Sequence, residues 1–281
     1  MTRAEAINKL VERALEEDLG DGDHSSLACI PGNASGKARL LVKESGILAG
    51  VEIAEIVFKT VDKSTKITNA LDDGSSVNPG DTAFIVEGPV QALLKSERLV
   101  LNIMQRMSGI ATSTRKYAEK VKGYKAKILD TRKTNPGSRI IEKEAVRIGG
   151  GVNHRMGLYD MIMLKDNHID YAGGIEKAIR KVSDYLEMTG KKLDVVVEAR
   201  NMDEVNQILA AGMKVRIMLD NFSISDTRAA VEFIGGKAEV ESSGGITLDT
   251  VRDYASCGVD YISVGAITHQ IESMDLSLKA I

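Results

Sequence analysis

Apolar positions follow two different rhythms along this chain. In residues 4–15, Ile7, Leu10, Val11, Ala14 and Leu15 fall on one face of a helix. A turn-rich loop follows over residues 20–26. Residues 38–43 (ARLLVK), 66–69 and 82–86 then read as strands, with Asp72-Asp73-Gly74 and Asn78-Pro79-Gly80 as turns. Residues 50–61 and 93–107 read as helices, the second with Leu94, Leu99, Leu101, Ile103 and Met104 as its apolar content. This is an α+β grammar.

After about residue 110 the grammar changes to short apolar runs that each end in polar residues. Residues 125–129 (KAKIL) end in Asp-Thr-Arg-Lys, and 161–164 (MIML) end in Lys165-Asp166-Asn167-His168. Residues 193–197 (LDVVV) end in Glu198, and 215–219 (VRIML) end in Asp220-Asn221. Residues 238–240 lead into Glu241-Ser242-Ser243-Gly244-Gly245, and 261–264 (YISV) end in Gly265-Ala266. Helical stretches lie between them at 175–188, 202–211, 225–234 and 248–257. Strand–helix alternation implies a parallel sheet, so the fold class is α/β. Six units with chemistry at the C-terminal strand ends point to a (β/α) barrel, incomplete because six is short of eight. A doubly wound open sheet has the same periodicity and stays open as the alternative.

Composition narrows the function. The chain has 281 residues, 43% hydrophobic and 27% charged, with a formal net charge of −3, which fits one large or two smaller globular domains and argues against a general nucleic-acid binder. The charged N-terminus has no apolar leader core, and no apolar run approaches membrane-spanning length. Cys29 and Cys257 show no metal-ligand or disulfide spacing and read as two buried or half-buried free thiols of a reducing compartment. Together these predict a cytoplasmic protein.

Against the acidic whole, the stretch from Arg132 to Lys165 carries seven Lys or Arg and only three acids. Arg132, Lys133, His154, Arg155 and Lys165 flank glycines or apolar runs, the arrangement that builds a polyanion pocket from arginine forks and lysine point charges. Arg139, Lys143 and Arg147 fall in a helical stretch and read as structural ion-pair partners of Glu142, Glu144 or Asp160. Met161 and Met163 read as core. Lys165 has a second reading as a Schiff-base nucleophile. Ser243, Gly244 and Gly245 after the second-last strand, with Val264, Gly265 and Ala266 after the last, stand where barrels grip phosphate, and His269 follows one turn on. Their plainer reading is as turn residues. Glu198 and Asp220 end consecutive strands, so their carboxylates suit either Mg²⁺ near phosphates or ion pairs with the nearby cations.

The blocks EDLGDGD, KESGILAG, ERLVLNIMQRMSGIAT, DTRKTNPG, GGGVNHRMGLYDMIMLKDNHI, MLDN, ESSGGIT and GVDYISVGAITH resemble, in order and over nearly the whole chain, those of the quinolinate phosphoribosyltransferases. The resemblance implies an N-terminal α/β sandwich domain over residues 1–109 and an incomplete barrel over 110–269, with the tail 270–281 returning to the first domain. It implies transfer of phosphoribose from phosphoribosyl pyrophosphate to quinolinate with loss of CO₂, giving nicotinate mononucleotide for NAD synthesis. It also implies a homodimer in which Arg98 of one subunit completes the site of the other, with assembly beyond the dimer left open. Arg98 alone would pass as an ordinary helix charge.

By matching motif, Arg132, His154, Arg155 and the partner subunit's Arg98 would face the quinolinate carboxylates, beside Thr131. Lys133 and Lys165 would lie between the substrate and pyrophosphate. Glu198 and Asp220 would serve the ribose hydroxyls and, indirectly, Mg²⁺-pyrophosphate, while Ser243, Gly244, Gly245, Val264, Gly265, Ala266 and His269 would hold the 5′-phosphate. No side-chain nucleophile is expected. His24, Asn135, Val196 and Arg200 depart from the family pattern, which bears on the local charge around Glu198 and not on the reaction class. Three alternatives remain: the molybdenum-transport-associated paralogue of the family, disfavoured by the intact TRK, NHR and KDNH blocks; a Schiff-base aldolase using Lys165; and a catalytically silent phosphate-binding barrel, disfavoured because unpaired clustered charges are costly to keep without a ligand.

Overall fold

The computed structural model describes residues 2–281. In chain order the elements begin with α1 (Arg3–Leu19), α2 (His24–Cys29), β1 (Ser35–Val42), β2 (Gly46–Ile47), α3 (Val51–Val61), β3 (Lys66–Thr68), β4 (Ser76–Val77), β5 (Thr82–Pro89) and α4 (Val90–Lys120). They continue with β6 (Lys127–Leu129), α5 (Arg139–Ile148), β7 (Ile162–Leu164), α6 (Asp166–Ala172), α7 (Ile175–Thr189), β8 (Val195–Ala199) and α8 (Met202–Ala210). The last are β9 (Arg216–Asp220), α9 (Ile224–Ile234), β10 (Val240–Ser243), α10 (Val251–Ser256), β11 (Tyr261–Ser263), α11 (Ala266–His269) and β12 (Leu276–Ala280).

The chain divides into two compact units. The first comprises Met1–Arg115, Thr134–Gly150 and Ile267–Ile281, and the second Lys116–Lys133 and Gly151–Ala266. The first is larger than the 1–109 expected from sequence, because it also takes in α5 and the turn before it. The reason is visible in its contacts. Glu142, fully buried on α5, is paired with Arg106 at 2.7 Å and accepts the Asn135 N–H. Arg3 of α1 bridges Glu52 and Glu144.

Within the first unit β1 alternates exposed and buried residues and pairs antiparallel with β5 on one side and β12 on the other. The C-terminal segment therefore supplies an edge strand, Ala38 lying opposite Ala280. Helix α4 runs well beyond the expected 93–107. It passes through Gly109, where an added Cβ would come within 3.1 Å of the Glu272 backbone. That glycine serves close chain approach and not helix termination. Of the apolar residues expected in this helix, Leu94 is exposed.

The second unit is a six-stranded parallel sheet in the order β6-β11-β10-β9-β8-β7. From β7 to β11, neighbours in sequence are neighbours in space, and the first strand then joins the last. A doubly wound sheet would reverse its order midway; this order runs around a ring. Among the described residues no ladder joins β6 to β7, so the barrel is incomplete. At that seam Val152 makes a parallel bridge to Leu129. Its N–H donates to Ile128 O (2.8 Å) and its carbonyl accepts from Asp130 N–H (3.2 Å), which satisfies the exposed edge of β6. β8 is buried along its whole length, as a strand covered on both faces requires.

Candidate active site

In a parallel sheet, paired residues share a side, and so do residues two apart on one strand. Leu164 pairs with Val197, so Lys165 falls on the side of Glu198. Glu198 pairs with Met218, two before Asp220, and Asp220 pairs with Ser243. Glu241 pairs with Tyr261, and Ser263 pairs with Leu129, which places Gly265 and Thr131 two residues past their strand ends on this side. A single face thus gathers Lys165, Glu198, Asp220, Ser243, Gly265 and Thr131 at its C-terminal end. Met163, Val196 and Met218 fill the same face further down, with Met161 packed against them.

The carboxylates are not ordinary surface acids. Glu198 is buried, and its Oε2 lies 3.2 Å from Lys165 Nζ. Burial pushes the Glu198 carboxyl above the usual carboxylate range against the pull of Lys165, and Asp220 and Asp166 add to the rise. Arg155 shows the converse. It is buried, its Nη1 reaches Met161 O at 3.3 Å, and burial followed by the charge of Arg132 pulls its pKa below the usual arginine value, with Asp160 opposing. Two guanidinium groups held within each other's field, one of them desolvated, form a place that an anion stabilises. Asp160 also accepts the N–H groups of Met156 and Gly157, which closes the loop after Arg155.

Arg132 and Lys133 are exposed just beyond β6, where the Lys133 N–H donates to the Thr131 hydroxyl and turns the chain. His154 stands behind this wall and not in it. Only 4% of its side chain is exposed, its Nδ1 accepts the Arg155 N–H at 2.7 Å, and its Nε2 lies 3.3 Å from Glu241 Oε2. Lys165 is half-exposed and engaged by Glu198, not lodged in the apolar pocket that a Schiff-base amine needs. Among the described residues no cluster of three His, Cys, Asp or Glu forms a protein-only metal cage.

The glycine loops after β10 and β11 are adjacent because those strands pair. Gly244 has φ +98°, and a Cβ there would strike the Asn221 amide oxygen and approach the Asn221 backbone N to 2.9 Å. Asn221 itself has φ +55°, a conformation asparagine tolerates, and its Nδ2 donates to Asp220 at 2.8 Å. The turn is thus built only with glycine at 244. Gly244→Ala is expected to lower stability by about 1–3 kcal/mol. An unchanged denaturation midpoint would show that this loop is not constrained.

Arg98 and His269 lie in the first unit, both exposed. So does Arg139, whose Nε donates to Thr134 Oγ1, while Lys143 is fully buried on α5 and Arg147 pairs with Glu144 at 3.5 Å. Of the two cysteines Cys257 is buried, but Cys29 is exposed, a correction to the expectation that both are buried or half-buried. Arg200, one of the departures from the family pattern, spans the Asp170 carboxylate of α6 and Glu204 of α8.

Residues 110–279 match the family described as "Quinolinate phosphoribosyl transferase, C-terminal domain", and residues 23–108 match the corresponding N-terminal domain. The chain belongs to the quinolinate phosphoribosyltransferase family. It is 45% identical to quinolinate phosphoribosyltransferase [decarboxylating] 1b of Nicotiana tabacum, over 97% of this chain and 82% of the relative. It is 40% identical to the probable nicotinate-nucleotide pyrophosphorylase [carboxylating] of Bacillus subtilis, over 97% and 92%. Its fold matches NadC from Streptococcus pyogenes with a TM-score of 0.92 at 37% identity, covering 100% of this chain and 99% of that one. The nicotinate-nucleotide pyrophosphorylase of Francisella tularensis gives the same TM-score at 40% identity, covering 100% and 98%.

Sequence reasoning missed a second polar layer of this phosphoribosyltransferase barrel. Fully buried Glu241 is bonded by Arg216 Nη1 of β9 (3.1 Å) and Ser263 Oγ of β11, while the Arg216 guanidinium lies 3.9 Å over the Tyr261 ring. Burial opposes ionisation of Glu241, yet His154, Ser263 and Arg216 outweigh it and hold its carboxyl below the usual range. A charged residue inside a parallel strand was the available signal, because such strands are otherwise nearly continuous apolar runs.

Proposed function

We propose that this protein transfers phosphoribose from phosphoribosyl pyrophosphate to quinolinate, releasing pyrophosphate and CO₂ and forming nicotinate mononucleotide for NAD synthesis. The observation that carries the reading is the Lys165–Glu198–Asp220 row and two adjacent glycine loops on one sheet face, together with Arg132 and Arg155 set within each other's field. The ribose C1–oxygen bond to pyrophosphate breaks as the quinolinate nitrogen bonds to C1. The C2 carboxylate then leaves as CO₂, and a proton takes its place on the ring.

In this reading Arg132 and Arg155 seat the quinolinate carboxylates, with His154 behind them and the partner subunit's Arg98 completing the seat in a homodimer. Lys133 and Lys165 meet charge on the departing pyrophosphate, fixed donors being most effective where charge develops. Ser243, Gly244, Gly245, Val264, Gly265 and Ala266 offer backbone N–H groups to the 5′-phosphate, with His269 nearby in sequence. Glu198 and Asp220 bind the ribose hydroxyls. Their two carboxylates also fit Mg²⁺ brought by the pyrophosphate, whose oxygens would fill the remaining positions. When bound, that ion neutralises charge on the leaving group. Two cysteines without a disulfide suit a cytoplasmic location.

The test is incubation with quinolinate, phosphoribosyl pyrophosphate and Mg²⁺, following nicotinate mononucleotide and CO₂ in equal amounts. Nicotinate lacks one carboxylate and would leave a desolvated arginine unmatched, so its kcat/KM is expected to be lower by about 10³-fold or more. Equal turnover of nicotinate would sink the assignment.

A further inference from the structure

We propose that Glu241 is a positioning residue: from inside the barrel it fixes the His154 ring, and through that ring it sets where Arg155 stands. The inference rests on the reading above for what Arg155 binds, but its geometry stands independently.

His154 is held at three points. Its backbone N–H donates to Asp130 Oδ1 at 2.8 Å, its Nε2 faces Glu241 Oε2 at 3.3 Å, and its Nδ1 accepts the Arg155 N–H at 2.7 Å. A nitrogen that accepts a hydrogen bond carries no proton, so the proton of the neutral ring belongs on Nε2, the atom that lies 3.3 Å from Glu241 Oε2. Turning the ring over, or moving its proton to Nδ1, would set an N–H against the Arg155 N–H. Glu241 prevents both. It is itself immobilised from two neighbouring strands, by Arg216 and Ser263. Asp130 meanwhile immediately precedes Thr131-Arg132-Lys133, so the same small network ties the loop after β6 to the segment carrying Arg155. A carboxylate needed only to neutralise Arg216 would have no call to face His154 as well.

Two double variants separate these roles. Arg216→Met/Glu241→Gln removes the buried ion pair but leaves an amide oxygen to receive His154 Nε2–H and an amide NH₂ for Ser263. Arg216→Met/Glu241→Leu removes the pair and the acceptor together. Buried pairs replaced as a unit by apolar groups generally leave folds intact. The Leu variant is expected to raise KM for quinolinate about 10–100-fold, as misplacement of a binding group does. KM for phosphoribosyl pyrophosphate should stay within about twofold, and the Gln variant should keep both near the parent values.

Imidazole ¹⁵N shifts of His154 give a readout that needs no substrate. The parent and the Gln variant should carry the proton on Nε2 with Nδ1 as acceptor, and the Leu variant should show mixed tautomers. Equal behaviour of the two variants would mean that Glu241 serves structure only, and a proton on Nδ1 in the parent would overturn the proposal whatever the variants do. If the parent makes no product from quinolinate, the proposed function falls while the ¹⁵N measurement still decides this inference.

Discussion

Replacing Arg155 with methionine is expected to raise KM for quinolinate by about 100-fold and to leave thermal stability unchanged or improved. The two halves of this result have one cause. Arg155 is buried, and both burial and the charge of Arg132 work against its cationic form. The free protein therefore carries a desolvated charge facing a like charge, and a carboxylate ligand relieves it. A fork-to-carboxylate pair makes two charge-assisted hydrogen bonds, so its loss is worth about 3 kcal/mol, and every 1.4 kcal/mol is about tenfold. Lysine at 155 should recover little, because a point charge cannot match the two oxygens. Steady-state kinetics with both substrates and a thermal melt check the result. A KM for quinolinate within about threefold of the parent, in a folded variant, would remove Arg155 from the carboxylate seat.

The rows of strand ends were legible because each parallel strand is a short apolar run stopped by polar residues. That rule located Lys165, Glu198, Asp220, Ser243 and Gly265 before any contact was known. It ended two strands early. β8 extends to Ala199 and β9 to Asp220, so Glu198 lies within its strand and Asp220 closes its own. On an inner face that carries chemistry, charge does not mark the end of a strand.

What was not legible depends on partners far away in sequence. Pairing of β6 with β11 has no local signature, and it is the contact that sets the first strand of the sheet beside the last. Lys143 reads as a helix ion-pair partner, and nothing local to it shows that it is fully buried. His154 looks like one more cation of the wall, yet Glu241, distant in the chain, turns its ring inward. Arg98 is exposed on a long helix, and only the family resemblance singles it out.

Glu198→Gln should separate stability from catalysis in the opposite sense to most active-site changes, and pH is the way to see it. The folded-state pKa of Glu198 lies above its ordinary value of 4.5, chiefly through burial. Between those two values the folded protein holds more protons than the unfolded chain, so this group's contribution to stability falls as pH rises through the window. Above it the full cost of an ionised, buried carboxylate is present, and it persists despite Lys165, because the net shift is upward even with that partner counted. Glutamine keeps the shape without the charge. The variant is therefore expected to match the parent near pH 4 and to exceed it at pH 7 by about 1 kcal/mol, or ~2–4 °C in Tm. Lys165 loses its partner, but a half-exposed lysine gives up little. Turnover should meanwhile fall by about 10²–10³-fold, as when one preorganised group is lost from a charge-developing site. Melts of both proteins from pH 4 to pH 8 decide the matter. A parent at least as stable as the variant at pH 7 would show that Lys165 already compensates Glu198 fully, and that this carboxylate is a structural ion-pair partner and not a group held ionised at a cost for its ligand.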